Sequence, residues 1–143
     1  MSRRKSDAQI YLEQVEKLDA MIECKLAERQ QMYDLALSIT AGMGGERVQS
    51  SSASKSKLAD AVDKCLDMAD EIASTIDDLI ATKAEVVHII DQVDDPTQYK
   101  VLHMRYIQHI PFTLIADKFG SDYTWATTCH GRAIKKVEAI MAK

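Results

Sequence analysis

The feature that most constrains this chain is a row of apolar residues in 57–93 that advances by alternating steps of four and three. Leu58, Val62, Cys65, Ala69, Ile72, Ile76, Leu79, Lys83, Val86, Ile90 and Val93 occupy it, and only Lys83 is polar. A repeat of 3.5 residues specifies one long helix with a narrow apolar stripe, which is stable only when something covers that stripe. Asp60, Asp63, Asp67, Asp70, Asp77 and Asp78 fall off the stripe and read as its wet face.

Residues 7–39 repeat the pattern more loosely. Tyr11, Val15, Leu18 and Ile22 keep the spacing. Leu26, Met32, Tyr33, Leu35, Ala36 and Ile39 then read as a broader face, with Lys25 and Arg29 interrupting the strict seam. Asp7 is the expected N-cap. At 1.5 Å per residue the two helices reach about 50 and 55 Å, and matched lengths predict an antiparallel hairpin. Two helices bury little by themselves, so a homodimer closing a four-helix bundle is expected. Between them lie Ala41-Gly42-Met43-Gly44-Gly45 and a serine-rich run to Ser56, read as a flexible linker over 41–56. A phosphate-binding glycine loop is excluded there, because no Gly-Lys-Ser/Thr ends the run and no strand precedes it.

Beyond the hairpin the charge changes sign. Residues 1–95 hold 11 Lys+Arg against 19 Asp+Glu, whereas residues 96–143 hold 7 against 3. A long acidic module, 7–95, is followed by a small basic one, 96–143. Asp95 and Pro96 suit the cap and first turn of a new helix, carrying Tyr99, Leu102 and Tyr106 on its inner side, which Pro111 ends. Then come Ile115, Ala116 and Phe119, Gly120 four residues after the small Ala116, and a helix beginning after Ser121 or Asp122 as its cap. A small residue where two helices nearly touch, and a glycine free to turn left-handed, is the pattern of a helix-turn-helix. Ala126, Cys129, Ala133, Val137 and Ile140 form the expected inner stripe of the second helix. Tyr123, Thr124, Thr127 and Thr128 then point outward where a recognition helix meets base edges, with Arg132, Lys135 and Lys136 placed for phosphates. The fold class expected is all-α: a long helical hairpin followed by a C-terminal three-helix domain.

The stretch from Leu102 to Val137 resembles region four of bacterial sigma factors. The likeness rests on Arg105-Tyr106 ahead of the turn, Ile115-Ala116 before Gly120, and Arg132-Ala133 with Lys135-Lys136 after it. Cys129-His130-Gly131-Arg132-Ala133-Ile134 is closer still to small phage and prophage proteins of Gram-positive bacteria, from about Tyr11 to Ile140. These combine a helical hairpin, a Gly/Ser-rich linker and a region-four-like tail, and are grouped as a domain of unknown function or as late-gene transcription regulators. The resemblance implies a DNA-binding regulator working at promoters with RNA polymerase. The sequence departs from that group in having no positive charge among Tyr123, Thr124, Trp125, Thr127 and Thr128, and Ala126 where a larger aliphatic residue is usual, with Trp125 beside it to fill the gap.

Other chemistry finds little support. Glu85 and His88 have Glu-x-x-His spacing, but the seam turns both toward water, so no metal site is expected. Cys129 and His130 are adjacent on a helix and point about 100° apart, too far to share a proton, and Cys129 reads as a small core residue. His103 and His109 read as isolated. Neither an enzyme nor a cofactor is expected. Three scattered cysteines without Cys-x-x-Cys, no apolar signal core and no membrane-length apolar run place the chain in a reducing cytoplasm. The competing expectation is a helical assembly or adaptor protein of the phage packaging or scaffolding type, whose tail binds protein.

Overall fold

The computed structural model describes residues 4–43 and 52–143. All regular structure among them is helical: α1 (Asp7–Met43), α2 (Ser52–Asp91), α3 (Pro96–Leu102) continued by a π-helical turn (His103–Ile107), α4 (Phe112–Lys118) and α5 (Tyr123–Met141). α1 and α2 form the expected antiparallel hairpin. The helices run further into the expected linker than composition suggests, taking residues 41–43 and 52–56, and the remainder of that linker lies outside the described residues. α1 is capped by Ser6, not Asp7: the Ser6 hydroxyl accepts from the Gln9 amide at 3.2 Å. Asp7 stands one position later, where its charge still complements the helix N-terminus.

The chain divides into two compact units, one made of residues 1–19 and 81–143, the other of residues 20–80. The first is built around one apolar cluster. Ala8, Leu12 and Val15 of α1 join Val86 and Ile90 of α2, Val93 beyond it, Leu102, Tyr106, and Ala133, Ile134 and Val137 of α5. The ends of the hairpin and the C-terminal helices therefore share a core, and Leu12, Val15, Val86, Ile90, Leu102 and Val137 have no exposed surface. Lys83, the polar member of the seam, finds Asp19 at 2.7 Å. The same carboxylate holds His109 at 2.8 Å, so His109 is not isolated, and neither is His103, whose Nδ1 lies 2.9 Å from the Gln108 side-chain amide. Partial burial works against ionisation of Asp19, but the hydrogen bonds and charges of Lys83 and His109 outweigh it and keep its pKa below the ordinary value. His109 adopts φ +58° at the break before α4, a left-handed conformation open to histidine more than to most residues.

In the second unit α1 and α2 meet along the seam, where Ala36, Cys65, Ala69 and Ile76 are buried. The broader face expected of α1 is not inside: Leu26, Tyr33 and Leu35 are exposed. Lys25 and Arg29 are half-buried instead, so the strict spacing passes through them to Met32, Ala36 and Ile39. Long aliphatic stems let these two cations line an apolar seam while their charges reach water. Outside the seam, Leu26, Tyr33 and Thr40 recur every seven residues on α1, and Leu66, Ala73 and Ile80 do so on α2. Tyr33, Ala36, Leu37, Thr40, Val62 and Leu66 enclose an open apolar cleft of about 390 Å³.

Candidate nucleic-acid interface

The C-terminal helices are placed by three local devices. Asp95 accepts from the Gln98 amide at 2.9 Å and Pro96 occupies the first helical position, which starts α3. α3 and its π-helical turn end at Gln108, and α4 begins after Pro111. α4 closes on Ala116, whose carbonyl accepts from the Ser121 amide at 2.9 Å, while Gly120 takes φ +64°. Asp122 then caps α5 by accepting from the Trp125 amide at 2.8 Å. The two helices are thus joined by a four-residue turn that needs a left-handed residue at its centre, the role expected of Gly120.

The inner side of α5 is not quite the expected one. Ala126, Ala133 and Val137 are buried, but Cys129 and Ile140 are only half-buried, and His130 and Ile134 are inside. His130 is the one polar side chain buried among the described residues. Its Nε2 lies 2.6 Å from the Tyr106 hydroxyl, and Phe112 meets its ring edge-on at 4.9 Å. Burial first, then the Arg105 charge, lower the His130 pKa to about 4, so the ring is neutral at pH 7 and shares one hydrogen bond with the Tyr106 hydroxyl. Burial also drives the Tyr106 pKa upward. The Arg105 guanidinium lies 4.3 Å above the Phe112 ring. Trp125 is half-buried and packs on Phe119, with ring centroids 5.0 Å apart. Cys129 cannot draw on His130, whose Nε2 faces Tyr106, and burial pushes its thiol pKa up.

With that side inward, the opposite side of α5 is presented outward. Tyr123, Thr124 and Thr128 are exposed and Thr127 is half-buried, its hydroxyl donating to the Thr124 carbonyl at 3.1 Å. Tyr123 rests edge-on against Phe112 at 6.3 Å. Arg132, Lys135 and Lys136 are exposed. Thr127, Thr128, Gly131, Arg132, Lys135 and Glu138 follow one another at helical spacing and form one wall of an open groove of about 820 Å³. The other wall was invisible in the sequence: Arg4, Lys5, Ser6 and Gln9, at the start of α1. Of the seven residues singled out on α5, four line the groove. Tyr123 and Thr124 lie ahead of it, and Lys136 turns away, 4.0 Å from Asp94. Among the described residues Arg4, Arg132 and Lys135 make no ion pair, whereas Lys5 meets Glu13 at 2.9 Å. Glu138 is the groove's one carboxylate. Glu85 and His88 are both exposed, as their place off the seam requires.

Fold and site together define a class: an all-α protein in which shorter C-terminal helices, two of them joined by a left-handed turn, pack on the ends of a long helical hairpin. The chain belongs to the family described as Protein of unknown function (DUF1492), which it matches over residues 37–138, from the later part of α1 to near the end of α5. No curated protein and no solved structure matches it. Among the described residues no helix is long and apolar enough to cross a membrane.

Proposed function

We propose that this chain is a DNA-binding transcription regulator of phage or prophage origin, related to sigma-factor region four and working at promoters with RNA polymerase in the cytoplasm of a bacterial host. The observation that carries the reading is the outward side of α5, where Tyr123, Thr124, Thr127 and Thr128 lead directly into Arg132 and Lys135 behind a capped left-handed turn. Threonine hydroxyls hydrogen-bond either kind of base edge and their methyls contact thymine, while the cations that follow neutralise phosphates. The test is a gel-shift titration at low salt on promoter fragments, with a reporter assay beside it. The expected result is binding tighter than about 10⁻⁴ M, the weak end of non-specific affinity, and loss of the reporter response in Thr127→Glu/Thr128→Glu. No binding at that level removes the DNA reading.

The hairpin serves as the dimerising part. Its support is the seven-residue rows of α1 and α2 outside the seam, apolar but for Thr40, of the kind that a second hairpin covers in a four-helix bundle. Two copies would present two readers with two-fold symmetry to a split site. Asp63, Asp70 and Asp77 stand one turn before Leu66, Ala73 and Ile80, so salt should tighten association by screening them. Light scattering of the full chain across salt and concentration checks this, and a strict monomer throughout removes it. The same apolar cleft favours a second reading, a non-enzymatic adaptor or assembly protein. That reading gains if the Thr127→Glu/Thr128→Glu chain stays folded and keeps its effect on the reporter.

A further inference from the structure

The groove beside α5 has a second wall that α5 does not supply, and its floor carries a glycine that the fold does not need. Arg4 and Lys5 reach it from the start of α1, opposite Arg132 and Lys135. Four cations line it against the single carboxylate of Glu138, with Glu13 behind Lys5, which makes it a basic concavity in a chain whose net charge is −4. Gly131 lies between them in the interior of α5. Its backbone is ordinary helix, and a Cβ built on it would meet nothing within 4 Å. A glycine inside an exposed helix weakens that helix relative to alanine, so packing and conformation both leave this one unexplained. What a side chain at 131 would obstruct is whatever enters the groove, because glycine lets another backbone approach a helix closely.

We infer that the groove holds a sugar–phosphate strand of duplex DNA, with Arg4 and Lys5 clamping it against Arg132 and Lys135 and Gly131 marking the closest approach. The inference rests on the DNA-binding reading and extends it: the start of the hairpin is part of the binding surface, and what it contacts is phosphate, not bases. A phosphodiester fits because it is a narrow chain of regularly spaced anionic oxygens, matched by cations on two facing walls. The Lys5–Glu13 pair is exposed and opens at little cost when a phosphate competes for the amine.

The probe is a fluorescein-labelled mixed-sequence duplex of about 30 base pairs, followed by anisotropy over a salt series with the full chain, since each phosphate contact contributes about 0.9 to the slope of log affinity against log salt. Arg4→Ala/Lys5→Ala should lower that slope by about two and weaken binding about equally on two unrelated duplexes. Gly131→Ala should weaken binding several-fold while raising the thermal midpoint, so its loss cannot be put down to misfolding. Arg4→Glu/Lys5→Glu should nearly abolish binding with an unchanged melt, both residues being exposed. If the parent chain binds and these variants bind as it does with the same slope, the clamp is wrong and the reading of α5 stands. If the parent chain binds no duplex at all, both fall together.

Discussion

The two compact units are built from the same pair of helices, yet they bury different things. Near its free ends the hairpin buries Leu12, Val15, Val86 and Ile90, and it has Leu102, Tyr106 and Val137 from the C-terminal helices to bury them against. Toward the connection it buries Ala36, Cys65, Ala69 and Ile76, mostly small side chains, and leaves large ones outside. Of the thirteen large hydrophobics exposed among the described residues, nine belong to residues 20–80. The heptad seam is the same in both places. What differs is whether a third and fourth helix arrive to cover it, and a two-helix seam alone shields one narrow stripe. One unit is thus a finished core that fixes the position of α5, and the other is a half-covered seam with large apolar side chains outside it.

The sharpest way to break that contrast is to truncate a leucine in each unit. Leu12→Ala removes a side chain with no exposed surface from the core that holds α5 in place, and should destabilise by about 3 kcal/mol in urea unfolding. Leu37→Ala removes one that is 68% exposed and should change stability by less than about 0.5 kcal/mol in dilute solution. If the second unit pairs with another copy, the Leu37 effect grows with protein concentration while the Leu12 effect does not. Equal costs at high dilution would mean that the two units are not packed differently after all.

A second difference concerns polar burial, which is confined to the finished core. His130 titrates near 6.5 in an unfolded chain and at about 4 in the folded one. Between those values the unfolded chain takes up a proton that the native state refuses, so stability is complete above about pH 6.5 and declines as pH falls toward 4. At pH 5 the loss is about 2 kcal/mol relative to pH 7, at one pKa unit to 1.36 kcal/mol. Tyr106→Phe strands the buried Nε2 and should cost about 1–3 kcal/mol at pH 7. Urea midpoints from pH 7 to pH 5 test both, because His130→Asn removes the titrating group and should flatten the profile. A profile that stays steep without His130 would place the acid sensitivity elsewhere, for example in the carboxylate-rich hairpin.

The contrast also explains what could be read from residues alone. The seam of α2, the caps at Asp95 and Asp122, the break at Pro111 and the turn at Gly120 all rest on local rules, with each residue type demanded by its immediate neighbours, and each was legible. His130 was not, because a histidine next to Cys129 gives no local sign of facing Tyr106, 24 residues away in the chain. Nor was the Asp19–His109 contact, which spans 90 residues. The broader stripe expected on α1 does not form, because the stems of Lys25 and Arg29 line the seam instead of breaking it. Half of the candidate groove was legible as a threonine and cation pattern on α5. The other half depends on α1 beginning beside α5, a tertiary fact with no periodicity of its own, so nothing near Arg4 and Lys5 in the sequence points to it.

The smallest expected effect separates place from composition. Lys135 and Lys136 are neighbours with the same charge and similar exposure, and by sequence both were placed for phosphates. Lys135 lines the groove opposite Arg4 and Lys5, while Lys136 turns toward Asp94 at 4.0 Å, an exposed pair that contributes little. Lys136→Ala should therefore leave stability within about 0.5 kcal/mol and the salt slope of DNA binding unchanged, whereas Lys135→Ala should lower the slope by about one. The global charge change is identical in the two variants, so any difference between them comes from position. Equal losses would mean that a diffuse positive field attracts the DNA and that the groove has no special part in it.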